Sequence, residues 1–192
     1  MFIEVTEYLR CPQAHDAEWL VLAADAMADR HVIRGTLGCP ACQAEYAIRD
    51  GIARFGAPPA TPPPGPLPAA DVVQALIGLE SPGGYVALVG SAASLTAGLQ
   101  RSMPGVHFVI INASAHPGGG CSMIETSAGL PLRDRVVRGV VLGGEVAESL
   151  LAEARRVVLN GQRVVALSET IRPTDQLEEL ARGQGLWVGR RR

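Results

Sequence analysis

The sequence of 192 residues contains no lysine, because all 17 of its basic residues are arginines. This absence excludes chemistry that needs a lysine amine, such as a Schiff base or the phosphate-binding lysine of a P-loop. Charges nearly cancel, with a formal net charge of -2. Proteins that bind nucleic acid usually carry a basic face, so this balance argues against nucleic acid as a direct ligand.

Long apolar runs and a leader segment are also missing. No stretch approaches the roughly 18 uninterrupted apolar residues of a membrane-spanning helix. The N-terminus has neither a basic segment nor a long apolar core. Four cysteines are too few and too unevenly spaced for a secreted disulfide scaffold. We therefore expect a cytoplasmic protein without a membrane span.

A proline-rich segment divides the chain. Seven of the fifteen residues from Gly56 to Ala70 are prolines, and this composition favours an extended spacer over a helix or a central strand. We predict a small cysteine-bearing module at residues 1–55, a linker at 56–70 and a larger module at 71–192.

The larger module alternates short β-like runs with helical ones. The runs rich in Val and Ile, which have the length of buried parallel strands, are Tyr85–Val89, Val106–Ile111, Val136–Leu142 and Arg163–Leu167. The segments with helical spacing are Asp71–Glu80, Ala92–Arg101, Glu145–Leu159 and Thr174–Arg182, the last with Thr174 as N-cap. This alternation predicts an α/β fold with a Rossmann-like, doubly wound sheet.

The cysteine spacing in the small module is typical of a zinc site. Cys39 and Cys42 form a knuckle whose tight turn brings two thiolates to the same side. Upstream, Cys11 is followed by Ala14 where a second cysteine is expected, and His15 comes next. His15 is explained equally well as a ligand or as a surface histidine. The module therefore either binds a structural zinc through Cys11, His15, Cys39 and Cys42 or has lost the metal and is held by packing.

Residues 5–55 resemble the small zinc-ribbon family that activates tRNA and protein methyltransferases. The matching segments are Leu9–Pro12, Leu37–Cys42 and Glu45–Ile52, and the last ends in Asp-Gly-Ile as the family's does. The resemblance implies a β-rich ribbon in which four ligands leave the zinc no open position for chemistry.

Residues 70–189 resemble the class I S-adenosylmethionine-dependent methyltransferases. Gly83–Ser94 is a strand, tight turn and helix at the place where a Rossmann-like sheet holds a nucleotide. Gly129–Asp134 is similar to the family's leucine-proline-phenylalanine segment, and Leu150–Val165 to its helix, turn and fifth strand. The chain stops soon after Gly189, so we expect a truncated fold that lacks the family's final antiparallel hairpin. The exposed sheet edge would then be covered by another protein or by a second copy.

The resemblance implies five residues around the cofactor, S-adenosylmethionine. In the family's glycine-rich loop only Gly90 keeps its glycine, and Leu88 replaces the acid before it. Asn112 replaces the acid that holds the ribose, so it supplies no charge and one acceptor oxygen. The acid near the adenine corresponds to about Thr126. The implied cofactor-binding residues are Gly90, Ser91, Ser94, Asn112 and Thr126.

Two functions fit these changes. The favoured one is a degenerate, non-catalytic methyltransferase-like protein that acts as a scaffold, regulatory or assembly subunit, since contact positions changed while strands and turns remained. The alternative is an active methyltransferase with a cofactor loop rebuilt around Gly90. Binding of another nucleotide or metabolite in the same crevice is a third possibility. We interpret His116, beside a glycine run near the crevice, as a solvated loop residue rather than a general base.

Overall fold

The computed structural model describes residues 1–15, 19–60, 65–113, 119–172 and 175–192. Within these ranges eleven strands form one sheet, in the order β1-β2-β3-β4-β7-β6-β5-β8-β9-β11-β10. His116 and Thr174, for which the sequence suggested roles, lie outside the described residues. No helix in the described ranges has the length and hydropathy that crossing a membrane would need.

The N-terminal part is an antiparallel meander. A short helix, α1 (Ile3–Thr6), precedes β1 (Val21–Ala28), β2 (His31–Gly38), β3 (Glu45–Arg49) and β4 (Ile52–Phe55). The turn between β3 and β4 is formed by Asp50 and Gly51, both with positive φ (53° and 74°). Two residues with positive φ are the signature of a tight hairpin turn, and Asp-Gly is a favoured pair there.

The second part has the predicted α/β architecture. Five parallel strands, β5 (Tyr85–Val89), β6 (His107–Ile111), β7 (Cys121–Thr126), β8 (Val137–Leu142) and β9 (Val158–Ala166), lie in the order β7-β6-β5-β8-β9. The order reverses at β5, as in a Rossmann-like sheet. The helices are α2 (Ala70–Ile77), α3 (Thr96–Ser102), which follows a 3₁₀ turn at Gly90–Leu95, and α4 (Ala147–Val157).

Apolar side chains of the central strands pack on both faces of the sheet. In β5, Ala87 and Val89 join one core cluster with residues of α4, while Val86 and Leu88 join the other with residues of α2 and α3. A strand that is buried on both faces has a continuous run of apolar residues, and such runs allowed β5 and its neighbours to be predicted from the sequence.

The C-terminal residues form an antiparallel hairpin, so two predictions are wrong. Leu177–Gly183 is strand β10 and not a helix, and β11 (Leu186–Arg191) pairs antiparallel with both β10 and β9. The sheet therefore has the hairpin that the truncated fold was expected to lack. The tight turn at residues 183–185 has positive φ throughout, and Trp187 is fully buried. These long-range pairings outweigh the helix-like spacing of residues 174–182.

Strand β4 joins the two parts into one sheet. It pairs in parallel with β7, from Ile52 opposite Met123 to Phe55 opposite Thr126. Across this junction the Arg54 guanidinium forms an ion pair with the Glu125 carboxylate. The edge strands of the sheet are β1 and β10. The partner edge expected beyond β9 is thus filled by the chain's own hairpin.

Candidate functional site

The four predicted metal ligands come together at one end of the meander. The ligand atoms of Cys11, His15, Cys39 and Cys42 all lie within 4.8 Å of one another. Cys11 Sγ is 3.7 Å from Cys42 Sγ, and Cys39 Sγ is 3.5 Å from His15 Nε2. A tetrahedral zinc, with bonds of about 2.3 Å to sulfur and 2.0–2.1 Å to nitrogen, places its ligand atoms roughly 3.5–3.8 Å apart. The cluster therefore fits a zinc ion, and the sulfur separation is far beyond a disulfide bond of about 2.05 Å.

Two loops position these ligands. The knuckle between β2 and β3 is closed by hydrogen bonds from Gln43 N–H to the Cys39 carbonyl and from Cys39 N–H to the Ala44 carbonyl, both 2.9 Å. The other loop carries Cys11 and His15, and an isolated antiparallel bridge pairs the residues on its two sides, Arg10 and Trp19. Each loop supplies two ligands, which is the arrangement of a closed structural site.

Tyr46 on β3 extends this cluster. Its hydroxyl lies 3.1 Å from Cys11 Sγ, and its ring, 8% exposed, packs on Phe55 of β4 with centroids 4.7 Å apart. Burial alone would raise the pKa of Cys11, but hydrogen bonds, that from Tyr46 above all, lower this pKa to about 7. The hydroxyl thus stabilises the thiolate, the form of cysteine that binds metals. Sequence reasoning missed this role, since the two residues are 35 positions apart.

The predicted cofactor residues lie at the carboxyl ends of neighbouring parallel strands. Gly90 and Ser91 follow β5, Asn112 follows β6, and Thr126 ends β7. Ser94 lies in the 3₁₀ turn after β5, with its side chain exposed. Ligands of open α/β sheets bind in this crevice, where the strand order reverses. The topology therefore brings the predicted residues to one end of the sheet.

The polar groups of Ser91 are bound to a residue that the sequence did not single out. Glu145, between β8 and α4, accepts hydrogen bonds from Ser91 N–H to Oε1 and from Ser91 Oγ to Oε2, both at 2.6 Å. Gly90 has the left-handed backbone (φ 62°), and a Cβ built there would collide with Glu145 Oε1. In the sequence, the only sign of this contact is that Glu145 follows two glycines at the end of β8, the buried strand next to β5.

Asn112 and Thr126 are bound to each other rather than directed into the crevice. The Asn112 amide donates from Nδ2 to the Thr126 carbonyl at 3.0 Å and accepts at Oδ1 from Thr126 N–H at 2.8 Å. The Thr126 hydroxyl, in a residue that is 1% exposed, donates to the Ala128 carbonyl at 2.8 Å. The Asn112 side chain thus ties the end of β6 to the end of β7.

Leu88, for which the methyltransferase resemblance implied the position of an acid, has no access to the crevice. It is fully buried in the core cluster under α2 and α3. A carboxylate there would be desolvated, which costs far more than an isolated hydrogen bond returns. Leu88 is therefore part of the hydrophobic core.

The chain matches solved structures, but no family model and no curated protein. Among solved structures, a putative methyltransferase from an antibiotic biosynthesis pathway of Anabaena variabilis ATCC 29413 is 17% identical, with a TM-score of 0.38 over 55% of this chain and 47% of that one. The pyocyanin biosynthetic protein PhzM is 12% identical, with a TM-score of 0.41 over 64% of this chain and 54% of that one. The chain spans about half the length of each.

Proposed function

We propose that this protein is a non-catalytic, methyltransferase-like protein that acts as a scaffold, regulatory or assembly subunit and carries a structural zinc in its N-terminal module. One observation carries the proposal: the polar groups of Ser91 and Asn112, two of the residues implied to face the cofactor, are hydrogen-bonded to the chain itself. Ser91 is bound to Glu145, and the amide of Asn112 is bound at both ends to Thr126.

The energetic consequence is a weak cofactor site. Two of the family's charged contacts are replaced by neutral groups, and each such contact is worth about 1.5–3 kcal/mol. Their loss weakens binding by roughly a hundred- to ten-thousandfold, which turns a micromolar site into a millimolar one or worse. A cofactor would also have to break the internal hydrogen bonds of Ser91 and Asn112. Because the sulfonium of S-adenosylmethionine supplies the reactivity and the protein mainly binds and orients it, a chain that cannot hold this cofactor has little catalytic power left.

The zinc module has a structural role in this proposal. Cys11, His15, Cys39 and Cys42 would occupy all four positions of the metal, which leaves none for a substrate. The metal would fix the loops next to β2 and β3, and β4 connects this meander to β7. We propose residues 1–55 as the ribbon, 56–70 as a linker and 71–192 as the methyltransferase-like module, which together present one surface to a partner protein.

The alternative is an active methyltransferase with a rebuilt loop, favoured by the left-handed backbone that Gly90 retains. Isothermal titration of the zinc-quantified protein with S-adenosylmethionine and S-adenosylhomocysteine separates the two. We expect no binding up to 1 mM of either compound. Binding in the micromolar range would overturn the proposal and support the active enzyme, and methyl transfer to candidate acceptors would then be measured.

A further inference from the structure

Glu145 occupies the space above the loop that follows β5. Its carboxylate binds both the N–H and the hydroxyl of Ser91, and it covers Gly90, where a Cβ would collide with it. Gly143 borders the same space, since a Cβ built on that residue would lie 2.5 Å from both Glu145 Oε1 and Ser91 Oγ. The carboxylate thus fills the volume that two glycines leave open between the ends of β5 and β8.

This contact differs in kind from the Asn112–Thr126 contact. The Asn112 amide is bound to backbone groups of a buried strand, so releasing it disturbs the sheet. Glu145 lies on a short turn and is half-buried. Its carboxylate is held over the crevice by the two hydrogen bonds from Ser91. The turn itself is fixed separately, by the hydrogen bonds of Gly143 N–H to the Val89 carbonyl and of Val146 N–H to the Gly143 carbonyl. The side chain can therefore leave without unfolding the elements around it.

We propose that Glu145 is an internal ligand that blocks the crevice against small molecules with a carboxylate of their own, such as an adenosyl amino acid. The inference rests on the proposed function, because it gives one cause for the weak cofactor binding that we propose. A tethered carboxylate competes at a high effective concentration, and its two short, charge-assisted hydrogen bonds hold it in place. Its removal opens the loop around Gly90 to an external carboxylate.

The test compares the wild type with Glu145→Ala, Glu145→Gln and a matched control, Glu148→Ala. Glu148 is an exposed acid in the first turn of α4, so the control makes the same change of charge outside the crevice. S-adenosylhomocysteine is titrated to 5 mM with ligand-observed NMR, and circular dichroism and zinc content verify that each variant is folded. We expect Glu145→Ala to bind at least tenfold more tightly than the wild type and Glu148→Ala to bind like the wild type.

Glu145→Gln keeps the shape of the side chain but weakens its hold on Ser91, so it should bind between the other two. If Glu145→Ala does not fold, a gain in Glu145→Gln over Glu148→Ala supports the inference, and no gain overturns it. Folded Glu145 variants that bind no better than the control overturn the blocking role but leave the proposed function intact. Micromolar binding by the wild type overturns the proposed function and the blocking role together.

Discussion

Replacing Asn112 by aspartate introduces the ribose-binding acid that the methyltransferase resemblance implies at this position, but we expect the change to destabilise the fold. Asn112 Nδ2 donates to the Thr126 carbonyl at 3.0 Å, and a carboxylate has no proton for that bond. The introduced oxygen would face the carbonyl oxygen, while the bond from Thr126 N–H to the other oxygen, now 2.8 Å, is kept. The backbone at residue 112 should not contribute to the loss of stability, since aspartate tolerates its positive φ of 55° about as well as asparagine does.

The magnitude follows from the carbonyl left without a donor. A buried polar group without a partner costs about 1–3 kcal/mol. A chain of this size loses about 2–4 °C in Tm per kcal/mol, so Asn112→Asp should melt roughly 2–12 °C lower at pH 7. A protonated carboxyl can donate to the carbonyl, so the fold raises the pKa of the introduced group. The penalty is therefore present above that pKa and is lost as the pH falls through it.

Urea denaturation at pH 7 and pH 4 measures both effects. Asn160→Asp is the matched control, because Asn160 is exposed on β9 and its substitution makes the same change of charge. We expect Asn112→Asp to be less stable than the control at pH 7 and to approach it at pH 4. Equal stability of the two variants at pH 7 would refute the reasoning, because Asn112 would then be free to meet a ligand.

Three further predictions concern the N-terminal module and its contacts. Tyr46→Phe removes only the hydroxyl on Cys11, so zinc affinity in a chelator competition should fall about 10–100-fold, whereas Tyr8→Phe should leave it unchanged. Burial, a neighbouring histidine and the N-terminal ammonium lower the pKa of His107 to about 4. The unfolded chain binds a proton on His107 near pH 6.5, whereas the folded chain binds it only near pH 4. The free energy of unfolding is therefore highest above pH 6.5 and should fall by about 1–2 kcal/mol, after allowance for partial exposure, as the pH is lowered toward 4. His107→Gln should flatten the urea-midpoint profile between these pH values. The Met1 ammonium is partly buried and donates to a carbonyl of β2 at 3.2 Å, so an N-terminal tag should lower Tm more than a C-terminal one.

Local patterns in the sequence predicted the parts of the fold that depend on local chemistry. Tyr85–Val89 was placed at its observed bounds, since a strand covered on both faces is a continuous apolar run. The residues of the Cys/His cluster were predicted to lie together because a cysteine knuckle is a short-range signal. The sequence did not predict strand β7, because Ser122 and Thr126 interrupt its apolar run with polar residues. Ser122 is nevertheless fully buried, and its hydroxyl is bound by groups far away in the chain.

The site shows the same division. The resemblance to methyltransferases implied that Gly90, Asn112 and Thr126 surround one cofactor, and these residues do lie at the carboxyl ends of neighbouring parallel strands. What these residues bind could not be predicted. Glu145 lies 54 positions from Ser91, and no spacing rule connects an acid before a helix to a loop that far upstream.

The parallel pairing of β4 with β7 also bears on how the chain folds as it is made. Arg54 and Glu125, which face each other across that junction, are 71 residues apart. At synthesis rates of about 5–20 residues per second, β4 waits roughly 4–14 s before its neighbour has been added. Throughout that time the meander has an unpaired edge of the kind that recruits strands from other chains. Early closure of the two loops that carry the Cys/His cluster would order strand β4 before β7 is synthesised. Strand β7 would then add to a preformed edge of the same molecule.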